Sequence, residues 1–277
     1  MTRNAGNANA INKDMQNPKD AIEFCKSCAG ASQQTDALLR EYIESLGVIG
    51  DDNIQKKLLK ELVKKYVALE KRVDGLLKNT LPDVVAEEIK FKSTYAPRSC
   101  ECTILFTDFV GFTGLAEKVP AEQLIVILDD IFKQFDDTVN SFRGTKIKTI
   151  GDAYMAVFGS PREYEGHAAM AIRAALAFLK SLEEFNRKTG SHFQMRVGIH
   201  TGRVTAGVVG KERMQFDVFG DNVNIASRFE SSGVPGRVNV SEATYRRAQE
   251  SFFFEERGEI GLKNKANMKA YLVAREL

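Results

Sequence analysis

The sequence predicts an α+β fold in which helices pack on a mixed or antiparallel β-sheet. Two observations lead to this prediction. From residue 102 onward, short apolar runs typical of strands alternate with longer stretches whose apolar residues recur every three or four positions, in the order βαββαβ with additions. In addition, 277 residues, of which 43% are hydrophobic, are enough to bury one full core and to leave an extension.

The extension is N-terminal. We interpret residues 1–53 as a disordered and partly helical segment, because residues 1–20 are polar and rich in Asn and Ala and residues 21–46 have only weak helical periodicity. Residues 54–81 predict a dimerising, signal-transmitting coiled coil over about three heptads. A single helix lying on the globular domain is the alternative, but the apolar stripe is narrow and the remaining surface strongly charged. The stripe comprises Leu59, Leu62, Tyr66, Leu69, Val73 and Leu76.

Residues 82–277 form the predicted globular domain, since Leu81-Pro82 ends the preceding helix. Gly151-Asp152 and Gly202-Arg203 are each predicted to be the two-residue turn of a hairpin. The predicted strands are 102–106, 146–150, 153–158, 194–201, 204–209, 237–241 and 269–274, and the predicted helices are 124–142, 166–187, 221–231 and 242–251.

Composition excludes several classes of protein. The net charge of +2 lacks the basic excess of a general nucleic-acid binder. The four cysteines do not form a secreted disulfide framework, and Cys25 and Cys28 fit a reduced helical pair better than a zinc site. No apolar run approaches the roughly 20 residues of a membrane span, and no signal peptide is recognisable. The sequence therefore predicts a cytoplasmic protein without a transmembrane segment.

Two aspartates follow apolar runs and predict a metal site. Asp108 ends the first strand and Asp152 lies at a hairpin tip. Each taken alone fits a structural role, as a helix cap or a turn residue. In a βαββ unit, however, the two lie on neighbouring strands, where their repulsion calls for a hard cation such as Mg²⁺. Gly111 permits a tight turn that could present backbone N–H groups and the Thr113 hydroxyl to an anion.

Other polar residues are individually weaker candidates. Lys148 precedes Asp152 by four residues of strand, about 13 Å, which is awkward if both serve the same end of one ligand. Asn224 and Arg228 are spaced i,i+4 and share a helix face. Asp217 precedes this helix, and Lys263 and Lys265 lie in a polar loop before the last strand.

Several motifs in order resemble the catalytic domain of class III nucleotidyl cyclases over about 190 residues, from about Leu81 to Val273. The resembling segments are FTDFVGFT at 106–113, KIKTIGDAYM at 146–155, RVGIHTG at 196–202 and FDVFGDNVNIASR at 216–228. The resemblance implies a ferredoxin-like βαββαβ core with added strands and helices, preceded by a helical coiled-coil extension.

The resemblance also implies roles for individual residues. Asp108 and Asp152 match the two aspartates that hold two Mg²⁺ (or Mn²⁺) ions. Lys148 and Asp217 match the pair that reads the base and resemble adenylate rather than guanylate cyclases. Asn224 and Arg228 match the residues that position the ribose and stabilise the transition state. Lys263 matches a residue that binds the substrate phosphates, but Asn264 and Ala266 replace the usual glycines, which leaves Lys265 as a possible substitute. The other residues implied to bind substrate are those of the first motif, Phe109, Gly111, Phe112 and Thr113.

The implied reaction converts ATP to 3′,5′-cyclic AMP and pyrophosphate at sites shared across a homodimer. One chain would contribute Asp108 and Asp152, and its partner the other residues. A regulatory protein, or docking through the N-terminal helices, would control the enzyme. The alternatives are a guanylate cyclase, a catalytically silent dimeric scaffold and a ferredoxin-like nucleic-acid binder, the last of which lacks both basic charge and an aromatic stacking motif.

Overall fold

The computed structural model describes residues 52–112, 114, 119–261 and 267–277. The predicted N-terminal segment with Cys25 and Cys28, as well as Thr113, Lys263 and Lys265, therefore lies outside the described residues. The helices are α1 Asp52–Lys78, α2 Asp83–Lys92, α3 Ala121–Ser141, α4 His167–Thr189, α5 Asp221–Ser231 and α6 Glu242–Ala248. The strands are β1 Arg98–Phe109, β2 Gly144–Ile150, β3 Ala153–Phe158, β4 Met195–Val209, β5 Gln215–Phe219, β6 Val238–Ser241, β7 Phe252–Ile260 and β8 Met268–Glu276.

The chain divides into two compact units. One comprises Met1–Asn79 and Ala86–Thr94, and in its described part α1 carries an apolar stripe in which Leu69 and Val73 are each 45% exposed. Within this unit Lys90 pairs with Glu70 at 2.9 Å. The predicted helix after residue 54 is confirmed. Whether it pairs with a second copy stays a prediction.

The other unit comprises Thr80–Val85 and Tyr95–Leu277 and contains one eight-stranded sheet in the order β2-β3-β1-β4-β6-β8-β7, with β5 paired to β4. The sheet is mixed as predicted, because β4 and β6 run parallel and the other described pairs are antiparallel. The α+β fold class predicted from the sequence is therefore confirmed.

The main core lies between this sheet and the helices α3 and α4. Its centre is aromatic: the fully buried rings of Phe135 on α3 and Phe178 on α4 stack with centroids 4.0 Å apart. Alternate residues of β4 (Met195, Val197 and Ile199) point into this core, so the residues between them face the opposite side of the sheet. Helix α5 packs on that opposite face.

The predicted hairpin around Gly202-Arg203 is wrong. β4 continues through both residues, and Gly202 pairs with Cys102 of β1 in regular register. Gly202 serves close packing instead, because a Cβ atom there would lie 2.5 Å from Cγ of Asn222 on α5. Glycine in a strand interior marks either a turn or a close approach, and here it marks the second.

Strands β5 and β7 were not predicted, and the helix predicted at 242–251 is shorter. β5 is the true hairpin partner of β4, with Gly207 opposite Asp217. α6 ends at Ala248, and the segment after it returns as β7, which pairs with β8 at the edge of the sheet. None of the helices in the described part of the chain has the length and apolar character that a bilayer span requires.

Candidate active site

The first cluster of functional residues surrounds the end of β1. Asp108 lies directly opposite Arg196 of β4, and the Arg196 guanidinium donates through Nη2 to Asp108 Oδ2 at 2.9 Å. The same guanidinium donates through Nε to Glu230 Oε1 at 3.1 Å, so it bridges two carboxylates. The Asp108 side chain remains 27% exposed, which leaves it accessible to a ligand.

Asp152 completes this cluster from the turn between β2 and β3. Gly151 adopts a positive φ of 62°, which a tight hairpin turn requires, and Asp152 projects beside the end of β1. Burial raises the pKa of the Asp152 carboxyl, and the nearby Asp108 carboxylate raises it further, while the backbone N–H of Phe109 stabilises the charged form. The structure thus brings the two predicted aspartates together.

Glu230 adds a third carboxyl group to the neighbourhood. Burial raises its pKa to about 7, and the charges of Asp108 and Asp152 contribute to this rise against the opposing effect of Arg196. Three carboxyl groups therefore lie close together, and the Arg196 guanidinium bonds two of them, Asp108 and Glu230. A site of this kind has an excess of negative potential that favours a cation.

These residues fit a divalent metal that is shared with a substrate. Mg²⁺ is usually held by one or two carboxylates together with substrate phosphates and waters, and rarely by an all-protein cage. In the described residues, no set of three or more acidic, His or Cys side chains is arranged as a complete cage. The pair Asp108 and Asp152 supplies hard oxygen donors in the number that a metal–phosphate site uses.

A second cluster joins β2 to β5. Lys148 donates through Nζ to Asp217 Oδ2 at 2.5 Å, and Oδ1 of the same carboxylate accepts from the backbone N–H of Val218 at 2.8 Å. The Asp217 side chain is only 9% exposed, whereas that of Lys148 is 33% exposed. The Asp217 carboxylate is therefore fixed by its burial and its backbone bond, whereas the Lys148 side chain is accessible to a ligand.

An irregularity in β2 aims Lys148 at this position. Residues two apart on a strand normally share a face, which would put Lys146 and Lys148 on the same side. The register shifts between them, so that Ile147 is an extra residue, and such bulges redirect side chains. As a result Lys146 bonds Asp136 of α3 at 2.7 Å, while Lys148 reaches Asp217.

Helix α5 presents Asn224 and Arg228 together. Both side chains are exposed, one turn apart, as the i,i+4 spacing predicted. The opposite face of the helix is buried through Ile225, Ala226 and Phe229. The predicted pair is therefore displayed on a rigid helix and available for a ligand.

The described residues of the loop after β1 are tied to the rest of the protein at several points. The Phe109 ring is 3% exposed and packs against Phe112 and Phe193, so only its backbone faces the cluster. The N–H of Val110 donates to the Gln194 carbonyl at 2.8 Å, which leaves it committed to the protein. Gly111 has a φ of 71° and forms the predicted turn.

Arg196 and Glu230 were not among the site residues predicted from the sequence. Arg196 begins the RVGIHTG segment, but its contact with Asp108 depends on the register between β1 and β4. Glu230 lies on the buried side of α5, two residues after Arg228. An acidic residue within an apolar helix face was the available signal, since buried carboxyl groups need a partner.

Comparison with known proteins identifies the family. Residues 94–275 match the adenylate and guanylate cyclase catalytic domain. The human guanylate cyclase soluble subunit beta-2 is 38% identical over 227 residues, which cover 80% of this chain and 37% of that subunit. An adenylate cyclase of Mycobacterium bovis is 37% identical over 209 residues, which cover 74% of this chain and 47% of that protein. The chain thus spans less than half the length of these relatives.

A solved structure agrees with the sequence relationship. The adenylyl cyclase CyaB from P. aeruginosa superimposes with a TM-score of 0.63 at 28% identity, covering 66% of this chain and 96% of that one. The matched residues, 94–275, include every described candidate site residue. This chain belongs to the family of adenylate and guanylate cyclase catalytic domains, the class III nucleotidyl cyclases.

Proposed function

We propose that the chain is an adenylate cyclase that forms 3′,5′-cyclic AMP and pyrophosphate from ATP. The observation that carries the choice of nucleotide is the direct contact between Lys148 and Asp217, 2.5 Å apart. A donor and an acceptor so close together can address neighbouring atoms on one edge of a base. The ammonium group would donate to N1 of adenine, and the carboxylate would accept from the exocyclic amine.

Guanine presents the opposite pattern at these two positions. Its N1 carries a proton and its C6 carries a carbonyl oxygen, so Lys148 would face a donor and Asp217 an acceptor. A site whose buried polar groups are left unpaired by the wrong substrate discriminates strongly. Burial of Asp217 to 9% exposure makes this mismatch expensive, because water cannot readily compensate it.

The metal cofactors in this proposal are two Mg²⁺ or Mn²⁺ ions held by Asp108 and Asp152. When bound, they would lower the pKa of the ribose 3′-hydroxyl and offset the charge on the phosphate oxygens. The protein contributes the position of the two carboxylates at the end of β1 and at the adjoining turn. Arg196 fixes the Asp108 carboxylate from the neighbouring strand.

Helix α5 supplies the residues that act on the nucleotide itself. Asn224 would hold the ribose so that its 3′-oxygen lies in line with the α-phosphorus, and Arg228 would stabilise charge that grows on the α-phosphate as pyrophosphate leaves. Their exposed face and rigid support suit this task. Lys263, with Lys265 as its substitute, stays the predicted ligand of the terminal phosphates.

We propose that the site is completed by a second copy of the chain. Asp108 faces Arg196 near the start of β4, whereas Asp217 pairs with Gly207, eleven residues further along the same strand. Each cluster is therefore half of a site, and a two-fold axis would bring the halves together twice. The exposed stripe on α1 fits pairing between the two copies, through which a regulatory protein could act.

The substrate is tested by exchanging the base-reading pair. Lys148→Glu with Asp217→Cys should reduce activity with ATP at least 100-fold and raise activity with GTP, measured as cyclic AMP and cyclic GMP formed with Mg²⁺ and with Mn²⁺. Asp108→Ala serves as the control, because it should abolish both products. An unchanged ATP preference in the double variant would disprove the base-reading role.

Synthesis of cyclic GMP is the second candidate function, since the human guanylate cyclase subunit among the relatives matches the chain as well as the bacterial adenylate cyclase does. The same assay decides it: a wild-type protein that prefers GTP would replace ATP by GTP in the proposal. A wild-type protein that forms neither product would instead support a silent scaffold.

A further inference from the structure

One face of β4 is shaped to receive helix α5. Gly198, His200 and Gly202 alternate along the strand and so point to the same side. A Cβ atom on Gly198 would lie 1.9 Å from the backbone nitrogen of Glu230, and one on Gly202 would lie 2.5 Å from Cγ of Asn222. The two glycines thus let both ends of α5 rest directly on the strand, with His200 between them.

His200 is buried, 3% exposed, and both of its ring nitrogens are engaged. Nε2 lies 2.9 Å from Asn222 Oδ1, and Nδ1 lies 2.7 Å from Ser241 Oγ. The Asn222 amide cannot be reversed, because its Nδ2 donates to the Arg203 carbonyl at 2.7 Å. Nε2 must therefore carry the proton that it donates to Asn222.

Hydroxyl groups hold the other side of the ring. When the His200 ring is neutral and Nε2 carries its proton, the Ser241 hydroxyl donates to Nδ1 and accepts from the Thr244 hydroxyl. A row of short contacts continues through the protein: Ser241 to Thr244 at 3.2 Å, Thr244 to Thr201 at 3.0 Å, Thr201 to Thr103 at 2.8 Å and Thr103 to Nδ1 of His167 at 2.8 Å. Ser241 also caps α6 by accepting from the Thr244 N–H. On this side the ring is therefore held by buried hydroxyl groups that bond one another.

Asn222 is the second residue of α5, and Asn224 follows two residues later. The far end of the helix is also tied to the sheet, since Asn239 Nδ2 donates to the Phe229 carbonyl at 2.7 Å. A helix held at both ends can be neither rotated nor shifted along its axis without breaking one of these bonds. The two bonds of Asn222, to His200 and to the Arg203 carbonyl, are the ones nearest to Asn224 along the helix.

We propose that His200 is a positioning residue of the cyclase reaction, which through Asn222 fixes the start of α5 and thereby the places of Asn224 and Arg228 at the substrate. This inference rests on the proposed function only in assigning catalytic work to α5. It applies equally to ATP and to GTP. His200 itself touches no substrate, and misplacement by 1 Å of groups that orient reacting atoms can reduce the rate by about 100-fold.

A matched pair of variants tests the contact. In His200→Gln the side-chain amide nitrogen can take the place of Nε2 and donate to Asn222. The side chain of His200→Asn is shorter, so its amide can take only the place of Nδ1, beside Ser241, and the bond to Asn222 is lost. We expect kcat to fall by no more than about fivefold in His200→Gln and by about 100-fold in His200→Asn, with KM changed less than about threefold in both. The exposed His192→Asn should behave like the wild type.

A double-mutant cycle separates positioning from general destabilisation. Asn222→Ala changes a partly exposed helix position and removes two bonds, the one from His200 and the one to the Arg203 carbonyl, so it should reduce kcat at least as much as His200→Asn. Because the bond that His200→Asn breaks is one of these two, the double variant should be no slower than Asn222→Ala alone. Equal losses in His200→Gln and His200→Asn, or multiplicative losses in the double variant, would overturn the proposal.

Hydrogen exchange gives a readout that does not depend on catalysis. The amides of residues 221–231 should exchange at least tenfold faster in His200→Asn and in Asn222→Ala than in the wild type, and at near wild-type rates in His200→Gln. If these amides exchanged at wild-type rates in all variants, the proposal that His200 holds the start of α5 through Asn222 would be wrong, even if the protein were active. If the variants differed in exchange as expected but the wild-type protein formed no cyclic nucleotide, the proposed function would be refuted, and the role of His200 in holding α5 would stand.

Discussion

Replacement of Gly198 by Ala should displace the helix that carries Asn224 and Arg228. The added Cβ would lie 1.9 Å from the Glu230 nitrogen, whereas ordinary contacts begin at 3.4 Å, so the helix and β4 must separate by about 1.5 Å. The obstacle is backbone and cannot rotate away. Overpacking of this kind costs about 1–3 kcal/mol of stability, and a displacement above 1 Å predicts a fall in kcat of at least about 100-fold.

The two effects are measured separately. Urea denaturation gives the free energy of unfolding, and initial rates at saturating nucleotide give kcat for the folded protein. Gly207→Ala is the control for stability on the same strand, because its Cβ would meet Pro97 at 3.6 Å, an ordinary contact, and should change stability by less than about 0.5 kcal/mol. A Gly198→Ala protein that matches this control in stability and keeps kcat within tenfold of the wild type would refute the displacement of α5.

Two further predictions concern Glu230 and the shared site. The pKa of Glu230 is about 7 in the folded protein against an ordinary 4.5, so between these pH values the native state retains a proton that the unfolded chain has lost, and the free energy of unfolding should fall as pH rises from 4.5 to 7 and level off above. In chelator-treated protein, Glu230→Gln should flatten this decline. An unchanged slope in the variant would contradict the raised pKa. The Asp108→Ala and Asn224→Ala proteins should each be inactive, but an equal mixture of them should recover about a quarter of wild-type activity. Half of the dimers in the mixture contain one copy of each variant, and each such dimer has one intact site out of two. No recovery despite proven subunit exchange would refute the shared site.

The elements that the sequence predicted well are those with long and regular periodicity. Helices α3, α4 and α5 were located to within a few residues, because their apolar residues repeat every three or four positions over two or more turns. The exposed face with Asn224 and Arg228 followed from the same periodicity. Two strands were missed for different reasons: β5 has only five residues, and β7, with the sequence FFFEERGEI, has no regular alternation of apolar and polar residues.

The glycines show where local reasoning reached its limit. Gly151 and Gly202 each precede a polar residue between two apolar runs, and both were predicted to form turns. Gly151 does so, with a φ of 62°, whereas Gly202 lies inside β4 beneath Asn222. Only the helix that packs on the strand distinguishes the two cases, and that helix begins almost 20 residues later in the chain.

The candidate site divides in the same way. The sequence by itself determined which side chains are candidates for the chemistry, because residue type and order place the carboxylates at strand ends and the polar pair on one helix face. The tertiary structure alone decided which of them meet: Arg196 with Asp108, Lys148 with Asp217 through a bulge in β2, and His200 with Asn222. These contacts depend on strand register and helix packing, which arise from pairing between distant segments and leave no local periodicity to read.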